Sequence, residues 1–554
     1  MSQAAVATTW DWLWDKHDQV KDLVALFAKP ASSAAGARQQ PAPGTAGNAA
    51  GGPEDKEPRT YKTGQLVGLI LGPLLFLMTL LLFNPEGLSD AGQAVLASTL
   101  WVATWWVTEA LPIPVTSLLP IVLFPITAGL PVAEISSSYA DDTIFLFMGG
   151  FMIALAMEKW NLHKRIALNI ISVCGTSTER IILGFILATG FLSMWISNTA
   201  TAMMMVPIGL AIIYQVADSL KDEKSVDTSK ENFVFGKVLM LAIAYAASIG
   251  GLGTLIGSPP NAILVSVVEE TYGISISFAQ WMLFGAPIAI IFLFILWFYL
   301  VKFAFRMNVK DLPGGRDVIR KEKKALGQAS VEEKIVFVVF TLTALAWITR
   351  TFFLSRFIEG VSDAGIAIAA SVVLFLIPTI SKRGGRILDW ETAVKLPWGI
   401  LLLFGGGLAI AAAFVETGLA DWVGEQLMFL EGMPVFIVLL VIVAITVFLT
   451  EFTSNTATAT MLYPIMASLA AALAVHPYAL LVAAAVGASY AFMMPVGTPP
   501  NAVVFGSGYL RIPEMIRAGA GLNVLVIAII PVAIYFLLPL LWGIDLSVFP
   551  QKFE

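Results

Sequence analysis

The twenty residues GQLVGLILGPLLFLMTLLLF (64–83) carry no charge, and apolar runs of similar length recur to the end of the chain. Such a run can cross roughly 30 Å of hydrocarbon as a helix, which satisfies its own backbone hydrogen bonds where water cannot. A spanning β-barrel would instead write alternating segments of about ten residues, and none is visible. Hydrophobic residues make up 57% of the 554 and charged residues 13%, with a mean hydropathy of +0.81. That is more apolar surface than a soluble fold can bury, so the expected class is an all-α polytopic membrane protein in contact with the lipid bilayer. The formal charge of −6 therefore says little about partners, and nucleic acid is not an expected one. The single Cys174 excludes an internal disulfide, and three scattered histidines make no metal cluster. The first apolar span begins near residue 64, too late for a secretory signal.

Residues 1–60 read differently. WDWLWDKHDQVKDLVALF (10–27) has the pattern of a short amphipathic helix, with Trp10, Trp12 and Trp14 suited to a bilayer interface. From Pro30 to Pro58 the chain is rich in Ala, Pro, Gly and Gln, as a flexible tether is. Beyond it, basic residues cluster at Arg59 and Lys62, Lys159 to Arg165 and Arg180, Lys221 to Lys237, Lys302 to Lys324, Lys382 to Arg386, and Arg511 and Arg517. The alternate connections, such as NPEGLSD (84–90), 131–142, 269–277 and the acidic stretch Glu416 to Glu431, are poor in Lys and Arg; only 350–356, with two arginines, departs from this. The positive-inside rule then places the N-terminus in the cytoplasm and the C-terminus outside.

Two pairs of apolar segments, 180–217 and 434–474, are interrupted by the same polar string, SNTAT at 197–201 and within SNTATAT at 454–460. The first pair has basic flanks and the second acidic or neutral ones, so they enter from opposite sides. Both are expected to be re-entrant helical hairpins with Ser-Asn-Thr at the tip; two full spans joined by a polar surface turn is the other possibility. A separation of 257 residues carries Ser197 to Ser454 and also Phe147, Gly149 and Gly150 to Phe404, Gly406 and Gly407. GSPPNA (257–262) and GTPPNA (497–502) are separated by 240, the charged insertion around 221–233 in the first half accounting for the difference. Landmarks at two consistent offsets, with opposite sidedness, imply an inverted-topology repeat, which is a transporter architecture. Its halves are expected at 61–310, with a broken helix at 235–270, and 311–554, with a broken helix at 478–509.

Paired prolines remove two backbone donors and glycine permits the turn, so each PPN segment must break a helix. The break frees carbonyls on one side and a helix N-terminus on the other. Hydroxyl, amide and carbonyl oxygens suit a small alkali cation, and helix N-termini, each worth roughly half a positive charge, suit a carboxylate. Two tips and two breaks offer about +2, a match for a dianion. No Arg or Lys is expected in the broken helices or near the tips. A dianion there needs co-bound cations, since an isolated buried charge is prohibitive. Glu451, three residues before Ser454, is expected to accept from neighbouring hydroxyls or to sense a proton or cation. The glycine pairs are expected to pack helices, and Cys174 and His163 to be structural or interfacial.

Both S-N-T copies, with IGSPPNA and MPVGTPPNA, resemble the divalent anion/sodium symporter (DASS) family over roughly 60–550. The resemblance implies about eleven transmembrane helices plus two re-entrant hairpins, a homodimer, and a transport domain moving against a scaffold like an elevator. It implies one sodium site at Ser193, Ser197, Asn198 and Gly257, and a second at Thr450, Thr453, Asn455 and Gly497. It places the dianion on Asn198, Thr199, Asn455, Thr456 and Thr498, with Ser258, often threonine in the family, as the counterpart of Thr498.

The expected function is Na+-coupled import of a C4-dicarboxylate such as succinate, malate or fumarate, in a bacterial plasma membrane. A sodium-independent exchanger, or a citrate or sulfate symporter, fits the same motifs. A sodium/proton antiporter would want a buried carboxylate pair, and only Glu451 is available. An intramembrane enzyme would want a nucleophile with a base, and no His or Lys falls near the tips. Hairpins dipping from opposite sides suit alternating access better than an open pore.

Overall fold

The computed structural model describes residues 63–553 apart from 176, 221–226, 231, 306–314 and 382–383. The first unit, Met1–Thr60, with its expected amphipathic segment and tether, lies outside the described residues. Within Tyr61–Glu554 the described secondary structure is helical, apart from isolated bridge positions at Ser177 and between Pro378 and Arg386.

The first half runs through α1 (Thr63–Leu82), α2 (Asp90–Thr108), α3 (Ile113–Thr116), α4 (Leu119–Thr127), α5 (Val132–Ser137) and α6 (Asp142–Lys159). It continues with α7 (Leu162–Cys174), α8 (Thr178–Ser193), α9 (Asn198–Ser219), α10 (Val234–Gly251), α11 (Pro259–Tyr272) and α12 (Phe278–Phe298). The second half contains α13 (Gly315–Ala325), α14 (Val331–Thr349), α15 (Asp363–Leu376), α16 (Trp390–Ala393) and α17 (Trp398–Glu416). After these come α18 (Leu419–Leu427), α19 (Val435–Thr450), α20 (Asn455–Ala472), α21 (Pro477–Ser489), α22 (Pro499–Phe505) and α23 (Ile512–Trp542). Helix starts are set by side-chain caps where the sequence offers them: Ser89 Oγ accepts from Gly92 N (2.9 Å) and Asp141 Oδ1 from Thr143 N (2.9 Å).

Among the described residues seven helices are long and apolar enough to cross a membrane, or eight if the pair Leu419–Leu430 and Val435–Thr450, bent by 115°, is one span. The arms α8 and α19 have 16 residues each, about 24 Å of helix, short of the ~30 Å a full crossing needs. Each turns within a few residues, 194–197 and 451–454, into α9 and α20.

The repeat is visible in the packing. α8 and α12 pack on α10, as α19 and α23 pack on α21, and the halves cross, α10 against α22 and α11 against α21. Phe147 and Phe404, matched by the 257-residue offset, touch each other with ring centroids 4.9 Å apart. Every residue of α21 and all but the first of α10 is buried, so these apolar helices are sheathed by protein rather than lipid. Apolar surface is exposed elsewhere, as on α1, where Leu81 is 77% exposed.

The glycines explain how helices come this close. A Cβ on Gly250 would lie 2.2 Å from Gly190 O, on Gly149 2.6 Å from Ala367 C, and on Gly406 2.5 Å from Ser117 O. The pairs at 149–150 and 406–407 are therefore packing residues.

One expectation needs correction. Lys237 lies inside a broken helix, in the first turn of α10; it is buried and ion-paired with Glu514 of α23, at the end of α10 remote from the break. The connection Glu416 to Glu431 holds α18, and the basic stretch after Lys159 holds α7. Both precede a hairpin, and both begin after a residue with left-handed backbone, Asn161 (φ 57°) and Gly418 (φ 72°), again 257 residues apart.

Candidate functional site

Each hairpin tip is a helix start. Ser197 caps α9, its Oγ accepting from Ala200 N (3.3 Å), and Ser454 precedes α20. Behind the tips the last residue of each incoming arm reaches into the neighbouring broken helix. Ser193 Oγ donates to Ala247 O (2.7 Å), and Thr450 Oγ1 donates to Ala488 O (3.0 Å) and approaches Asn455 Oδ1 (2.7 Å). Asn198, oriented so that both amide atoms are satisfied, places Nδ2 against Ala247 O (3.1 Å), Gly257 O (3.2 Å) and Ser193 Oγ (2.5 Å). Asn455 Nδ2 reaches Ser489 O at 3.5 Å.

The breaks are built alike. Ser258 (φ −140°, ψ 132°) and Thr498 (φ −141°, ψ 149°) are extended, and in both copies the prolines occupy the first turn of the next helix, where no N–H is missed. Thr498 Oγ1 accepts from Asn501 N (3.4 Å), whereas Ser258 Oγ faces Ser489 Oγ (3.4 Å) and caps nothing. The carbonyls freed by each break are tied by the asparagine of the PPN triplet, to which sequence reasoning gave no role. Asn261 Nδ2 donates to Gly251 O (2.9 Å) and Thr254 O (2.8 Å); Asn501 Nδ2 donates to Ala491 O (3.0 Å) and Met494 O (3.0 Å). The partners correspond one to one across the 240-residue offset, so the duplicated Asn was the signal.

Glu451 distinguishes the halves. It is fully buried, and its carboxylate accepts Phe492 N (2.7 Å), Met493 N (2.8 Å), Met494 N (2.9 Å) and Asn523 Nδ2 (2.8 Å). It holds the backbone of the second break rather than the neighbouring hydroxyls expected from sequence. The matching position in the first half is Met194, whose carbonyl instead accepts from Thr254 Oγ1. At Gly257 an added Cβ would stand 2.5 Å from Gly251 O and 3.0 Å from Ser193 O, so carbonyl oxygens converge there. At Gly497 it would meet Glu451 Oε2 at 3.2 Å and Glu451 O at 3.4 Å. Both neighbourhoods offer the hard oxygens a sodium ion takes.

Tips and breaks face one cavity of about 830 Å³. Ser197, Asn198, Thr199, Gly257 and Ser258 line it from the first half; Thr453, Asn455, Thr456, Gly497 and Thr498 line it from the second. Ser193 and Thr450, expected as sodium ligands, do not line it; both are wholly buried one layer behind the tips. Four helices start at this wall, but α22 has only seven residues, so their summed field falls somewhat short of the +2 expected from four full helices. No lysine or arginine lines the cavity among the described residues.

The fold and this cavity fit a polytopic membrane transporter, and the comparisons with known proteins give the same class. The chain belongs to the sodium:sulfate symporter family, whose transmembrane-region model matches residues 64–547; this is the DASS family that the motifs resemble. It is 54% identical over 497 residues, 89% of this chain and 95% of the relative, to the sodium-dependent dicarboxylate transporter SdcS of Staphylococcus saprophyticus. It is 51% identical over the same shares to SdcS of Staphylococcus aureus. Two solved structures share the fold at low identity. The Alcanivorax borkumensis YdaH transporter aligns with a TM-score of 0.51 at 14% identity, over 76% of this chain and 88% of that one. Neisseria gonorrhoeae MtrF, from a class of antimetabolite efflux pumps, aligns with a TM-score of 0.53 at 11% identity, over 86% and 95%.

Proposed function

We propose that this protein imports C4-dicarboxylates of the succinate, malate and fumarate type, coupled to two or more sodium ions. The observation that carries the reading is the cavity: both Ser-Asn-Thr tips and both PPN helix starts line it, and among the described residues no basic side chain does. A dianion desolvated there has helix N-termini for partial charge and needs full counter-charges from ions that travel with it. Sodium at the two oxygen clusters supplies them and orders the backbone that holds the anion. The ligand sets stand as proposed: Ser193, Ser197, Asn198 and Gly257 for one ion; Thr450, Thr453, Asn455 and Gly497 for the other. Asn198, Thr199, Ser258, Asn455, Thr456 and Thr498 take the substrate. Ser193 and Thr450 contribute from behind the wall, through backbone carbonyls or by orienting the asparagines. The dicarboxylate specificity named for the Staphylococcus relatives supports this choice over sulfate.

Transport then proceeds by alternating access, a homodimeric scaffold letting the hairpin-and-break domain move like an elevator. The protein sits in a bacterial plasma membrane with its N-terminus cytoplasmic and C-terminus outside. Two sodium ions per dianion make the cycle electroneutral; a third adds about 2.3 kcal/mol per 100 mV of membrane potential. Uptake of radiolabelled succinate into proteoliposomes, with an inward sodium gradient or with potassium in its place, tests the proposal. Sodium-only uptake supports it. Sodium-indifferent uptake that needs internal dicarboxylate makes the protein an exchanger, and no uptake removes succinate as substrate.

A further inference from the structure

Among the described residues that line the cavity, Glu109 alone is charged, and its charge has the sign of the proposed substrate. It comes from neither tip nor break but from the end of α2, where its backbone is left-handed, with φ 48° and ψ 39°. That conformation is costly for a residue with a Cβ and persists only where surroundings impose it. They do: Ala110 N donates to Trp105 O (3.3 Å), Gln65 Nε2 to Glu109 O (3.0 Å), and Trp105 Nε1 to Gly68 O (2.9 Å). A glycine would fit this backbone better, so the fold alone gives no reason for glutamate.

We propose, resting on the reading of the cavity as a dianion site, that Glu109 is a specificity-determining residue that limits the charge of the substrate. Two carboxylates are matched by the cations of the two proposed sodium sites and by the helix N-termini. A third finds no cation on the wall and meets the Glu109 carboxylate; like charges brought together across a binding surface are strongly disfavoured. The residue therefore excludes the fully ionised tricarboxylate without contacting the bound dicarboxylate.

The test is competition against sodium-driven succinate uptake at a pH where all carboxyls are ionised. Two competitors are used: propane-1,2,3-tricarboxylate, and its terminal monoamide, which has nearly the same size and only two charges. The readout is each inhibition constant divided by the succinate KM. In Glu109→Gln the ratio for the tricarboxylate is expected to fall about tenfold, equivalent to about 1.4 kcal/mol, with the monoamide ratio unchanged; Glu109→Asp should keep the parent values. An unchanged tricarboxylate ratio overturns the proposal, as does an equal shift for both competitors, which would mean size rather than charge. Should Glu109→Gln fail to assemble, Glu109→Gly, which suits φ 48°, answers the same question. Failure of the parent protein to take up succinate would strike the proposed function instead, a result distinct from either ratio.

Discussion

Replacing Glu451 by glutamine changes almost nothing in shape, so its consequences isolate the carboxylate. Oε1 accepts Phe492 N, Met493 N and Asn523 Nδ2, and Oε2 accepts Met494 N at 2.9 Å. The best orientation of the new amide keeps its oxygen at the three-donor position and points NH2 at Met494 N–H. One charge-assisted bond worth about 1.5–3 kcal/mol is lost, and a buried donor is stranded at about 1–3 kcal/mol. Some of this overlaps, so about 3 kcal/mol of support leaves the second break. If sodium binding must restore that order, the half-saturating sodium concentration rises by about a hundredfold, at 1.4 kcal/mol per decade. The assay is a sodium activation curve for uptake, alongside melting temperature in detergent with and without sodium. A Glu451→Gln protein with parental sodium activation and melting temperature would refute the reasoning.

Other substitutions test neighbouring parts. Gly257→Ala drives a methyl to within 2.5 Å of Gly251 O, a backbone atom that cannot swing aside; uptake and sodium-dependent thermal protection should both be lost, while the looser Gly497→Ala should keep more of each. Asn501→Leu frees Ala491 O and Met494 O inside the protein; a loss of about 2–4 kcal/mol should lower melting temperature, and Asn261→Leu should match it because its bonds correspond. Asp389 has its carboxyl held down to about 2, first by the hydrogen bond from Lys159 and then by Thr392. A folded value below the ordinary one means that this support is present above about 4 and is lost as pH falls toward 2. Because the Asp389 side chain is 41% exposed, the effect should be under about 1 kcal/mol; Lys159→Met should flatten that part of an acid-denaturation curve.

The repeat was readable because its marks are chemical. Polar strings inside apolar runs and paired prolines stand out at any distance, and the structure turns the chain at 194–197 and 451–454, beside the motifs that foretold it. Less legible were features whose signal is weak or lies elsewhere in the chain. α18 has nine residues, too few for its periodicity to separate from an acidic loop, and the sequence marks the start of α7 only as a basic cluster. Lys237 was grouped with the basic flank because its partner, Glu514, lies 277 residues away. Glu451 is legible in the sequence as the one carboxylate near the second tip, but its donors, three backbone amides and the distant Asn523 side chain, are not. Glu109 joins the cavity through the path of α2, which the hairpin motifs do not encode.

The central claim is that each tip asparagine serves an anion and a cation at once. The most direct measurement is sodium-driven succinate uptake, with sodium-dependent succinate binding, in Asn198→Ala and Asn455→Ala. Each substitution is expected to remove sodium dependence and substrate binding together. Normal sodium-driven uptake by either variant would contradict it.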